Sequence, residues 1–172
     1  MNDRLARMTA AAKSLSRQMD DGSLVREVLT EHEEGIMQEQ HIQLLEGKDS
    51  DDNDMRPYYT EDLQPHGHFK SVQSASAYMV WKESLNYPYQ VTRGNSNAPN
   101  LYINGRFYNE MEVKFDLDNM AIVPSTPYAG EIMNKYGLGK FGLSALHWDK
   151  LMYEGGVLND IQNKIKSILY DN

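Results

Sequence analysis

Apolar residues recur at helical spacing near both ends of the chain and at strand spacing in the middle. Spacings of three and four near the N-terminus predict an amphipathic helix with the stripe Leu5, Met8, Ala12, Leu15 and Met19. The polar turn formers at 20–23 interrupt this pattern, and a longer helix is predicted over 24–45, ended by Gly47. A last amphipathic helix is predicted by the stripe Leu158, Ile161, Ile165, Ile168 and Leu169.

The middle of the chain carries the strand signal. Charged residues at 112, 114 and 116 alternate with the apolar residues Met111, Val113, Phe115 and Leu117. A strand with this pattern has one apolar, buried face and one polar, solvent-exposed face. The four apolar residues are therefore candidates for core or assembly contacts. A turn at Asp118-Asn119 and the returning segment MAIVPS complete a predicted β-hairpin near 107–125.

Shorter helices are predicted over 74–85, over 128–136 and from Ser144 to about residue 152. The fold class is therefore α+β, with long N-terminal helices, a small antiparallel sheet and a C-terminal amphipathic helix. Residues 1–22 are predicted to form a helical arm, and residues 23–172 a single α+β domain.

Charge is distributed unevenly and limits the partners. The net charge of −8 combines +3 over residues 1–19, −11 over 20–62 and zero over 63–172. The acidic middle segment would repel DNA, so we expect no specific nucleic-acid binding. Cysteine is absent, which excludes disulfides and thiolate chemistry. No apolar run approaches the roughly 18 residues of a membrane helix, so no membrane partner is expected.

The Asp-rich segment LEGKDSDDNDMRPYY, at 45–59, resembles a calcium-binding loop only in part. Asp49, Asp51 and Asn53 match ligand positions one, three and five of an EF-hand. Asp54 stands where glycine is needed, and Thr60 stands where the bidentate glutamate is needed. A solvated turn is the prediction, with no metal.

Other candidate chemistry is weak. His41, His66 and His68, with the Asp cluster, leave open a small cytosolic metal-binding protein or a regulatory binding protein as the alternative function. The G-x-G-x-x-G at 137–142 follows a predicted helix rather than a strand, which favours a helix-terminating loop over a cofactor site. No nucleophile or phosphate-loop motif occurs, so neither an enzyme nor a cofactor is predicted.

The order of several short motifs is more informative than any one of them. After LLEGKDSDDNDMRPYY come WKESLNYP, NLYINGRFYNEMEVKF, PYAGEIMNKYG and KFGLS. Across roughly residues 36–170 this order resembles the small virion proteins of tailed phages that infect gut Bacteroidota, crAss-like phages included. It is also similar to the neck, or tail-completion, proteins of tailed phages. Asp52-Asn53 stands where the resemblance leads us to expect Asp-Gly.

The resemblance implies a structural role. It implies a ring-forming subunit of the head–tail connector, in the neck or tail region of a virion assembled in the bacterial cytoplasm. Its partners would be copies of itself and portal, adaptor or tail proteins around a channel through which DNA passes. The positions that carry the resemblance are Gly47, Asp49, Tyr58, Tyr59, Asn104, Gly105, Phe107, Tyr128, Ala129 and Gly137.

Overall fold

The computed structural model describes residues 2–60, 62, 64–65, 69–93, 95–116, 119–136 and 141–170. Five residues singled out above lie outside these ranges, namely Leu117, Asp118 of the predicted hairpin turn, Gly137, His66 and His68. The elements in chain order are α1 (Asn2–Asp20), α2 (Ser23–Glu31), α3 (Glu33–Glu46), α4 (Val72–Glu83), α5 (Arg106–Asn109), β1 (Met111–Phe115), β2 (Met120–Pro124), α6 (Ala129–Tyr136), α7 (Ala145–Asp149), a π-helical turn (Lys150–Glu154) and α8 (Val157–Tyr170). The predicted α+β class is confirmed.

The hairpin is the best-predicted element. β1 and β2 pair antiparallel, with Val113 opposite Ile122 and Phe115 opposite Met120. Met111, Val113 and Ile122 are buried, while the charged residues between them are exposed, as period-two alternation requires. The predicted start near 107 is wrong, because 106–109 form the single helical turn α5.

A left-handed Gly105 causes this early turn. Its φ of +80° starts α5, and the Asn104 side chain accepts a hydrogen bond from the Arg106 N–H at 3.1 Å. The turn buries Phe107 and Tyr108 ahead of the strand. Backbone geometry at Gly105 therefore overrides the aromatic strand propensity of the two residues.

The helix predicted over 24–45 is two helices. His32, with φ −101° and ψ 16°, separates α2 from α3. Its ring Nε2 lies 2.8 Å from the Asp160 carboxylate of α8. No glycine or proline marks the break, but Glu33 and Glu34 provide the negative charge that favours a helix N-terminus.

Gly47 ends α3 as predicted, with φ +83°. A Cβ at this position would lie 2.9 Å from the Ala98 Cβ, so the loop passes too closely for any side chain. The smaller helices shift by a few residues from their predicted bounds. Ser71, rather than a residue near 74, caps α4, and the helix that Ser144 caps becomes π-helical after Asp149.

The core joins α2 and α3 to the hairpin and to the start of α8. Its buried members are Val28, Ile36, Leu44, Leu45, Met55, Phe107, Tyr108, Met111, Val113, Ile122, Leu143, Leu151 and Val157. α1 packs on α2 and α8 outside this core. Ala11 of α1 is buried, whereas most of the predicted apolar stripe of α1 faces away from the chain.

Candidate functional site

A pocket lined by tyrosines lies between α4, α6 and the segment 101–103. Its volume is about 320 Å³, at the lower end of the range typical of small-ligand sites. We call it the tyrosine pocket and define it by Tyr58, Tyr78, Lys82, Ile103, Tyr128 and Tyr136. Tyr58 and Tyr78 meet edge to face, with ring centroids 5.5 Å apart, which fixes one aromatic wall.

Lys82 is the unusual member of this pocket. It is 2% exposed, and its ammonium donates a hydrogen bond to the Tyr102 carbonyl. Within the described part of the chain no carboxylate lies within ion-pair distance of it. Burial, followed by repulsion from Arg93, lowers the pKa of Lys82 to about 7.

The pocket hydroxyls are also unusual. The Tyr87 and Tyr108 hydroxyls, which lie elsewhere in the interior, donate to backbone carbonyls. The hydroxyls of the four pocket tyrosines make no hydrogen bond within the described residues. Burial raises the pKa of Tyr136 to about 12 and also raises the pKa of Tyr58 and Tyr78. The hydroxyls of Tyr58, Tyr78 and Tyr136 therefore remain protonated and able to donate at neutral pH.

A second concavity lies where α1 turns into α2 and meets the hairpin. We call it the elbow groove; its volume is about 320 Å³, and its apolar lining is Met19, Val25, Leu29, Phe115 and Met120. Three carboxylates and one guanidinium also line it: Asp20, Asp21, Asp116 and Arg26. The Asp21 side chain accepts the Ser23 N–H at 2.9 Å, and the hydrogen bonding to Ser23 lowers the pKa of Asp21. The groove is therefore apolar with a net negative lining.

A buried histidine fastens α7 to α3. The His147 ring is fully buried, with Nδ1 2.8 Å from the Glu39 carboxylate and Nε2 3.2 Å from that of Glu46. Between them, Gln43 accepts the Ser144 N–H at 2.7 Å and donates to the carbonyls of Asp49 and Gly142. We call His147, Glu39, Glu46, Gln43 and Ser144 the α3–α7 polar seam. Because both ring nitrogens of His147 have a carboxylate partner, we assign the seam a structural role rather than acid–base chemistry.

The Asp-rich segment is a turn closed by its own first aspartate. The Asp49 Oδ1 accepts the N–H groups of Asp51 and Asn53, each at 2.9 Å. Asp52 adopts a positive φ of 62°, and Lys48 pairs with Asp54 at 3.0 Å across the turn. The predicted turn is thus confirmed, and Asp49 is its organising residue.

This geometry predicts different effects on stability for substitutions at two aspartates of the turn. We expect Asp49→Ala to lower the free energy of unfolding by about 1 kcal/mol, because two backbone N–H groups lose their acceptor. Asp51→Ala removes only an exposed side chain and should change it by less than about 0.5 kcal/mol. Urea denaturation of both variants, with and without calcium, tests this. Equal losses, or a loss that depends on calcium, would contradict the turn interpretation.

The described residues that carry the resemblance separate into three groups in the structure. Tyr58 and Tyr128 meet at the tyrosine pocket, and Phe107 packs on Tyr128 with ring centroids 6.5 Å apart. Other positions shape the backbone: Gly47, Asp49, Asn104, Gly105 and Ala129, where α6 begins. Tyr59 exchanges hydrogen bonds with the Asn97 side chain. His41, left open above as one member of an alternative metal-binding set, has its Nε2 3.1 Å from the Tyr108 carbonyl.

The sequence analysis did not predict the burial of Lys82 or the α3–α7 polar seam. Ala75, Tyr78 and Lys82 share one face of α4 at spacings of three and four, but lysine is among the residues least often buried, so this pattern does not predict the burial of Lys82. Glu39 and Glu46 are seven residues apart on α3, which also places them on one face. Nothing local indicates that a histidine 101 residues beyond Glu46 joins them.

Comparison of the chain with protein-family models, with curated proteins and with solved structures finds no match. Within the described ranges, no group of three or more histidine, aspartate or glutamate side chains is arranged to hold a metal ion. In the same ranges, no helix combines the length and the apolar character needed to cross a membrane.

Proposed function

We propose that the chain is a structural subunit of a tailed-phage particle that assembles head to tail with copies of itself into a ring in the neck or tail-completion region. The observation that carries the proposal is a complementarity between the two ends of α1. The first half of α1 is exposed, basic and apolar, and the elbow groove at its other end is apolar and acidic.

The exposed half of α1 has the composition of an interface element. Leu5 and Met8 are 67% and 53% exposed, and all described side chains from 4 to 10 are exposed. Arg4 and Arg7 flank these apolar residues, with one helical turn between the two arginines. An exposed apolar surface in a stretch where two arginines outnumber the single aspartate, Asp3, has the composition of a docking surface with net positive charge.

The elbow groove is complementary to the exposed half of α1 in apolar character and in charge. Its apolar lining suits Leu5 and Met8, and its three carboxylates outnumber its single guanidinium. We assign the α1 N-terminal half of a second copy as its occupant. Because the two surfaces differ, the contact is heterologous, and its repetition closes a ring when the rotation between subunits allows closure.

Ring formation fits the charge distribution as well. The −11 over residues 20–62 would repel DNA from any channel wall that displays it, so DNA would slide past without binding. The virion location and the portal, adaptor or tail partners rest on the motif order alone and belong to the same proposal.

A charge exchange tests the docking. We expect the wild-type chain to oligomerise at low salt, measured by sedimentation velocity, and electron micrographs to show closed rings. Asp20→Lys with Asp21→Asn reverses the charge of the groove while keeping the side-chain acceptor at 21, and Arg4→Glu with Arg7→Glu reverses the charge of the arm. Each pair should weaken association at least about tenfold, and all four changes together should restore it.

Lys166→Glu, on an exposed face of α8, is the matched control and should leave association unchanged. A wild-type chain that stays monomeric at millimolar concentration would overturn the self-assembly. Oligomers that ignore both charge reversals would place the interface elsewhere.

A further inference from the structure

The tyrosine pocket has features that neither the core nor assembly explains. A lysine is buried without a carboxylate, and four tyrosine hydroxyls around the same cavity have no protein partner within the described residues. Buried polar groups ordinarily find partners in the folded chain. Lys82 is the exception at this cavity, because its buried ammonium has the Tyr102 carbonyl as its described acceptor and no counter-charge, although an ammonium can donate three hydrogen bonds. A buried ammonium on the wall of an aromatic cavity therefore indicates a ligand that supplies the missing negative charge.

The ammonium of Lys82 lies at the pocket wall. Its acceptor, the Tyr102 carbonyl, is flanked in sequence by Leu101 and Ile103, which both line the cavity. Two further donors nearby, the Asn100 Nδ2 and the Arg93 Nε, are buried without an acceptor among the described residues. Donors are in excess on this side of the molecule.

We propose that the tyrosine pocket binds a small organic monoanion with an aromatic or cyclic body, its carboxylate paired with Lys82 and its ring packed among the tyrosines. The rings of Tyr58, Tyr78 and Tyr136, with Leu101 and Ile132, provide the apolar surface for the ring. The protonated hydroxyls supply donors that orient the carboxylate.

The charges around the cavity exclude other ligand classes. A cationic ligand would be repelled by Lys82, Lys135 and the nearby Arg93. A phosphate dianion needs several cationic or backbone donors, whereas only one fully buried ammonium lines this pocket and Glu131 opposes a second negative charge. A cavity of about 320 Å³ holds one aromatic ring with its carboxylate rather than a nucleotide.

Protonation of Lys82 couples binding to pH. The titratable and charged groups facing it or lining the pocket are Arg93, Tyr58, Tyr78, Tyr87, Tyr128, Glu131, Lys135 and Tyr136. The pKa of Lys82 is about 7 in the empty pocket, so its amine is mostly charged at pH 6 and mostly neutral at pH 8.5. A carboxylate stabilises the charged form, so binding above pH 7 requires proton uptake and weakens.

Benzoate and its neutral analogue benzyl alcohol are the probes. By isothermal titration calorimetry and NMR shift mapping, we expect benzoate to bind the wild-type chain at pH 6 with a Kd of about 1 mM or tighter. We expect the Kd to rise at least about tenfold from pH 6 to pH 8.5. Benzyl alcohol should bind at least about tenfold more weakly at pH 6, without this pH dependence.

Lys82→Met tests the assigned residue, because it keeps an unbranched side chain and removes the charge. We expect it to retain the circular dichroism spectrum of the wild type, to weaken benzoate at least about tenfold and to abolish the pH dependence. Lys166→Met on α8 is the matched control and should bind like the wild type. Benzyl alcohol binding as tightly as benzoate, or no saturable benzoate binding at pH 6, overturns the proposal without any variant.

The pocket shares no lining residue with the arm or the elbow groove. Failure of the benzoate test therefore leaves the assembly proposal intact, and a monomeric chain that binds benzoate leaves the pocket proposal intact.

Discussion

Val113→Asp should unfold the protein. Val113 is 8% exposed, pairs with Ile122 across the hairpin and belongs to the same core cluster as Ile36 and Phe107. An aspartate there loses the packing of a buried valine and places a carboxylate in the apolar core cluster. We expect a loss of about 4 kcal/mol or more, a large part of the 5–15 kcal/mol that stabilises an ordinary domain. Urea denaturation followed by circular dichroism measures this.

The adjacent position is the matched control, because it places the same side chain on the other face of the strand. Lys114 is exposed and pairs with Glu112 at 2.9 Å, so Lys114→Asp should cost about 1 kcal/mol at most. Phe115→Asp should cost an intermediate amount of free energy of unfolding, because Phe115 is half-buried. Since Phe115 lines the elbow groove, this variant should fold and fail to assemble. Similar stability for the Val113 and Lys114 variants would show that the strand register is wrong.

Local patterns account for what the sequence predicted well. The hairpin needed only alternation and a turn, and the ends of α3 and α7 needed only Gly47 and Ser144, whose effects are confined to a few bonds. Asp49 likewise closes its turn through hydrogen bonds within four residues. In each case the contacts that determine the local structure lie within the few residues on which the prediction was based.

The wrong predictions have two different causes, one long-range and one local. The break between α2 and α3 occurs at a residue bonded to Asp160, 128 positions away. A helical pattern across 24–45 carries no sign of that contact, because His32 is compatible with a helix interior. α5 was missed for a different reason: the left-handed Gly105 starts a turn in a stretch whose aromatic residues favour a strand.

Only two of the six residues that define the tyrosine pocket were singled out from the sequence. Tyr58 and Tyr128 were singled out for their place in the motif order, and they lie 70 positions apart, so nothing local pairs them. Lys82 completes the pocket through burial, and two of its hydrogen-bond partners lie outside α4: its ammonium donates to the Tyr102 carbonyl and its carbonyl accepts from the Tyr87 hydroxyl. Lysine is among the residue types least often buried. The burial of Lys82 is therefore the feature of the pocket that the sequence predicts least well.

The α3–α7 polar seam carries the second large effect. We expect His147→Leu to destabilise the fold by about 3 kcal/mol, since it deprives two partly buried carboxylates of their shared partner. Glu39 and Glu46 are 18% and 22% exposed, so water compensates only part of this loss. Leucine fills much of the imidazole volume, and for that reason the cost should come from the unpaired carboxylates rather than from a cavity.

A second substitution separates these causes. Replacing Glu39 and Glu46 by glutamine in the His147→Leu background removes the unpaired charges and should recover about half of the lost free energy of unfolding. The same double substitution in the wild-type background weakens the His147 contacts and should itself destabilise the protein. The sign of the glutamine effect should therefore invert between the two backgrounds. If the sign is the same in both, His147 stabilises α7 by packing alone, and the seam is not a charge-paired unit.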